Sequence, residues 1–192
     1  MKKDIIKIFV GILILVLILA SATYAWFSFK TTDSSIHGTV GCFEINYDKG
    51  QDIGSVDNPY SMRPTCNYNE GASAIVSIGL SQKCNLKARA SINLNTNAFI
   101  LNDGNTSGFS TGTKNVLGYQ VVKLENGVET PISGCSGHIN NSSTVSLCEV
   151  DVNSVELEKY KVYVYLDCNN VTTTYIGAVY TGYIQTVAYN NN

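Results

Sequence analysis

A chain of 192 residues with a formal charge of −2 and no cluster of lysine and arginine lacks the electrostatic footprint of a nucleic-acid binder. Twelve tyrosines stand against three prolines, and Asn, Ser, Thr and Gly fill the intervals between apolar runs. These are strand and turn residues rather than helix builders.

The N-terminus reads as an export segment. Lys2, Lys3 and Lys7 precede an uncharged run from Ile8 to Ala22, followed by small residues. That layout is a secretory signal. Extended from Ile5 to Phe27, the apolar stretch is about 23 residues, enough to span a bilayer as a helix. The segment is therefore a cleaved signal or a retained anchor. Cutting after Ala20-Ser21-Ala22 or after Thr23-Tyr24-Ala25 satisfies the small-x-small rule. The lysines place the N-terminus in the cytoplasm and the bulk of the chain outside. Cys42 lies too far downstream to be a lipoprotein cysteine.

The predicted organisation is a signal or anchor over 1–25, an exposed linker or donor strand over 26–36, and one β-sandwich domain over 37–192. The first 25 residues hold three Lys and one Asp, so the remainder carries −4. Alternation from Val40 to Tyr47 predicts a strand ending at a Gly50 turn. Residues 51–71, with two of the prolines, read as a long irregular connection. Strands are predicted over 72–80 and 86–95, the second with Leu86, Ala88, Ala90, Ile92 and Leu94 on one face. A loop follows over 102–115. Asn126-Gly127 between two β-prone runs predicts a hairpin, because a type I′ turn needs positive φ at both positions. Tyr160, Val162, Val164 and Leu166 mark one face of a strand over 160–168. Residues 175–189 form a last strand or strand pair, and 154–159 alone read as a helical turn. Short strands at regular spacing indicate an all-β fold, a jelly-roll-like or related β-sandwich behind an N-terminal hydrophobic helix.

All six cysteines fall after the export segment, which suggests up to three disulfides in an oxidising compartment, with 15 possible pairings. Cys135 and Cys148 flank a polar stretch of hairpin character, and a bridge there closes a loop of about 14 residues, worth ~3 kcal/mol. Pairing Cys66 with Cys84 and Cys42 with Cys168 would complete the set.

Chemistry is sparse. Histidines are His37 and His138 only, and HExxH, P-loop and dinucleotide motifs are absent from the sequence. Cys135, His138 and Cys148 offer three metal ligands, or a Cys/His nucleophile pair, but exported cysteines favour disulfides. Asp103-Gly104-Asn105 and Asp167-Cys168-Asn169-Asn170 carry oxygen ligands without the twelve-residue calcium pattern. No catalytic, cofactor or metal site is expected. Tyrosines at 160, 163, 165, 175, 180, 183 and 189 form either core or a stacking surface for carbohydrate or a protein partner.

The run Ala22-Thr23-Tyr24-Ala25-Trp26-Phe27-Ser28, the polar spacer Lys30–Ser35 and the first strand His37-Gly38-Thr39-Val40-Gly41-Cys42-Phe43-Glu44-Ile45 resemble the start of the TasA/camelysin family of bacterial biofilm-matrix and cell-surface proteins. The resemblance implies cleavage after Ala25, before Trp26, by a signal peptidase of the SipW type. It implies a jelly-roll domain that assembles by strand donation, with Trp26–Thr32 donated and Trp26, Phe27 and Phe29 as anchors. The partner is then another copy or a homologous subunit, and the membrane is met only through the N-terminal segment. The protease activity ascribed to camelysin-like members is not carried over, since no metalloprotease motif is present. The expected function is a non-enzymatic subunit of a surface or matrix filament. The alternatives are a membrane-anchored module that binds glycan or protein, and an exported hydrolase.

Overall fold

The computed structural model describes residues 45–48, 50–80, 88–110, 115–141 and 144–190. The predicted N-terminal helix, Ala25, Trp26, Phe27, Phe29, Cys42, Cys84 and His37 lie outside them.

The described residues form ten strands: β1 (Ile45–Asp48), β2 (Tyr60–Ser61), β3 (Pro64–Thr65), β4 (Ala72–Leu80), β5 (Ala88–Ile100), β6 (Leu117–Glu125), β7 (Val128–Ile139), β8 (Thr144–Val152), β9 (Glu158–Asp167) and β10 (Val179–Asn190). They make two sheets. One runs β1-β4-β9-β6-β7, with β3 also on β9, and the other runs β2-β10-β5-β8. All pairings are antiparallel except β3 with β9. The fold is all-β, and the two sheets share one core.

Period-two alternation builds that core. Ala88, Ala90, Ile92 and Leu94 of β5 are buried while Arg89, Ser91, Asn93 and Asn95 are only partly so. Val162, Val164 and Leu166 of β9 are fully buried against Val76, Ile78 and Val121 of its neighbours and Ile184 of the facing sheet. The β6–β7 hairpin turns where predicted: Asn126 has φ 50° and Gly127 φ 81°, the signature of a type I′ turn.

Residues 51–71 are mostly irregular, as expected, but they are not idle. Ile53 and Met62 reach the core at 2% and 1% exposure. The helical turn expected over 154–159 is not formed. Ser154 accepts the Leu80 amide at 2.7 Å, and Glu158 already pairs with Ile78 at the start of β9. Cross-strand pairing overrides a weak local helix preference there. The final segment is one strand, β10, preceded by a 3₁₀ turn at Thr173–Tyr175.

The cysteines correct the expected pairing. Cys66 bridges Cys168, so neither Cys66–Cys84 nor Cys42–Cys168 exists. The reason is the parallel strand: Pro64 and Thr65 run beside Leu166 and Asp167, and the next residue on each strand is the cysteine. Their Cα atoms are 5.2 Å apart, within disulfide reach. Cys135 bridges Cys148, as expected. The strands that carry them are not a hairpin, however. β7 edges one sheet and β8 edges the other. A bulge sets four residues of β7, Ile132 to Cys135, against Val121, because Gln120 pairs Ser136 and Val122 pairs Pro131. Gly134 sits in it at φ 78°. The register of β8 shifts beside Cys148 as well, between Ile92 and Asn93 of its partner β5. These irregularities turn both cysteines inward, to 5% and 4% exposure.

Candidate functional site: the seam between β1 and β10

A two-sheet sandwich has two seams where sheet edges face each other. The β7/β8 seam is closed covalently by Cys135–Cys148. The other lies between β1 and β10, where the described contact is a side-chain hydrogen bond: Tyr47 Oη donates to the Ile184 carbonyl at 2.9 Å.

The edge of β10 there has a definable polarity. The Gly182 amide and carbonyl both bond with Ile53, at 3.0 and 2.8 Å. Alternation then aims the amides and carbonyls of Ile184, Thr186 and Ala188 at the same edge. The Tyr47 bond to Ile184 agrees with that direction. β2 covers β10 only at Val179 and Tyr180, and among the described residues no strand pairs with this edge beyond Gly182. The Thr186 side chain turns inward beside Tyr47, and its hydroxyl and backbone both act on the Tyr47 phenol, although the hydroxyl makes no hydrogen bond of good geometry to a described residue.

Burial dominates the ionisation of the seam. It pushes the Tyr47 phenol up from its ordinary 10 to about 12. Burial also raises Tyr180, whose hydroxyl shares a 2.9 Å hydrogen bond with Thr96, and Tyr160, which donates to Glu158 at 2.6 Å. The fold thus prefers three neutral phenols. Each has a folded value above its unfolded one, so its stabilisation is complete below pH 10 and is lost as pH rises towards the folded value. The urea midpoint is expected to hold steady from about pH 7 to 9 and then to fall above pH 10, followed by far-UV circular dichroism. A flat midpoint to about pH 12 would contradict this burial.

The remaining candidates are resolved by their partners. Cys135 and Cys148 are spent in a disulfide, so neither is available as a metal thiolate or a nucleophile. His138 Nε2 instead meets Asp167 Oδ2 at 3.1 Å. Asp167 also accepts from the Asn169 amide and from the side chains of Asn169 and Asn170, which hold its carboxyl below the usual range. Asp103 accepts from the amides of Asn105 and Thr106 and from the Thr106 hydroxyl, with the same effect. Both aspartates shape turns. Of the seven tyrosines, Tyr160, Tyr175 and Tyr180 are core, Tyr163 is buried on an outer face, and Tyr165 and Tyr183 are half-buried. The side chain of Tyr189 lies outside the described residues.

Fold and cysteines together define a disulfide-bridged all-β domain of two sheets. No protein-family model, curated protein or solved structure matches the chain.

Proposed function

We propose that this is an exported structural subunit that assembles by β-strand donation. A jelly-roll-type sandwich offers the β10 edge at Ile184, Thr186 and Ala188, and the segment Trp26–Thr32 of another copy adds the missing strand. The β10 edge beyond Gly182, which no described strand pairs, is the observation that carries this reading. Backbone hydrogen bonds give such a joint its affinity, and alternate side chains give it specificity. Phe27 and Phe29, two residues apart, fall on one face of the donated strand, with Trp26 on the other. Thr31 and Thr32 bring further β-prone residues.

The two disulfides support an oxidising location outside the cytoplasmic membrane. On this reading a signal peptidase cuts after Ala25 and frees Trp26 as the new N-terminus. No enzymatic activity is assigned. Deleting residues 26–32 is expected to leave a folded monomer with native circular dichroism and to abolish filaments in electron micrographs. Filaments that survive the deletion would falsify strand donation by this segment.

A further inference from the structure

The outer face of the larger sheet has a feature that strand donation does not use. Lys161, Tyr163, Tyr165 and Asp167 alternate outward along β9. Tyr165 pairs across to Gly118 of β6, which pairs across to His138 of β7. A Cβ at Gly118 would stand 2.6 Å from Tyr165 Cζ and 2.9 Å from its Oη. A Cβ at Gly71 would stand 2.8 Å from Tyr165 Cβ. Glycine at 118 therefore lets the ring lie down over β6 instead of standing off the sheet.

The surroundings fix what such a ring can hold. Its neighbour Tyr163 is committed: the hydroxyl donates to Glu129 at 2.6 Å and the ring meets Tyr68 edge-on at 5.4 Å. Lys161 pairs with the same Glu129 at 2.8 Å, and His138 with Asp167. Tyr165 stays half-buried, and its hydroxyl has no hydrogen bond to a described residue. Exposed Ser136 and partly exposed Gln120, whose Nε2 donates to the Val121 carbonyl at 2.8 Å and whose Oε1 is left to accept, lie one row away, opposite each other. The charges beside the ring are thus paired on the sheet, and the exposed Lys159 of the same strand face stands six residues from it. What remains is one flat aromatic ring with neutral hydrogen-bonding groups at its side. That combination suits a ligand with an apolar C–H face and a rim of hydroxyls.

We propose that this face binds a neutral hexose polymer, with one sugar stacked on Tyr165 and its hydroxyls served by Gln120 and Ser136. The test is calorimetric titration of the full chain, in a sugar-free polyoxyethylene detergent, with cellohexaose and with chitohexaose; poly-glutamate is the charged control. Binding of at least one neutral oligosaccharide is expected, and none of poly-glutamate. Tyr165→Ala should weaken binding about tenfold or more, and Tyr165→Trp should retain it. Gly118→Val leaves the tyrosine in place but lifts its ring, and should weaken binding as well. Equal binding by Tyr165→Ala and the parent chain would overturn the proposal, as would no heat with either sugar at about 10 mM. Preferential binding of poly-glutamate would overturn it too.

Discussion

Replacing Cys66 and Cys168 together by serine is expected to lower the free energy of unfolding by roughly 4–5 kcal/mol, the largest effect of any paired change outside the core. The bridge joins positions 102 apart in sequence. Cross-linking so long a loop removes more unfolded-chain entropy than the 13-residue separation of Cys135 and Cys148, which is worth about 3 kcal/mol. The shorter loop is nested in the longer one and cuts its effective length by little, and the entropy depends only on the logarithm of that length. Domains of this size hold about 5–15 kcal/mol in all. The double variant should therefore unfold at a far lower urea concentration than the parent, and the Cys135/Cys148 double variant should fall between them. A Cys66/Cys168 variant within about 1 kcal/mol of the parent would show that the bridge does not constrain the unfolded chain as inferred.

Ala188→Pro is expected to stop assembly while sparing the fold. The Ala188 amide points to the edge that no described strand pairs and not to β5, by the alternation that Gly182 sets. Proline on an edge position with an outward N–H is tolerated, yet it removes a donor and sets a ring in the path of an incoming strand. The variant should match the parent in unfolding midpoint within about 1 kcal/mol and form no filaments. Proline at Val187, whose amide faces β5, should instead destabilise the domain by about 3 kcal/mol or more. If the two positions behave alike, the edge assignment is wrong.

Much of the sandwich is legible in the sequence wherever a strand buries one face. β4 matches its expected span, β9 keeps the alternation of Tyr160, Val162, Val164 and Leu166, and Asn126-Gly127 turns the hairpin. These signals are local. What the sequence hides is long-range. Nothing around Pro64 and Thr65 announces a parallel partner 102 positions on, so no local signal discloses the Cys66–Cys168 pairing. The Cys135–Cys148 bridge follows from its short spacing, but not that it joins two sheets. That depends on the bulge at Gly134, and a glycine in a strand is only a weak bulge signal. Ile53 and Met62 sit in a stretch with no periodicity, and tertiary contact alone buries them. The candidate seam is the least legible of all. β10 looks like any closing strand, and the edge that no described strand covers emerges only from which strands the topology places beside it.

Amide hydrogen exchange at Thr186 and Ala188 tests the central claim most directly. The intact assembled chain is compared with the monomer that lacks residues 26–32. If a donated strand completes the β10 edge, both amides exchange readily in the monomer and become strongly protected on assembly. The amides of Gln185 and Val187, already bonded to β5, change little. Thr186 and Ala188 amides that exchange equally fast in both proteins, or that are equally protected in both, would contradict strand donation at this edge.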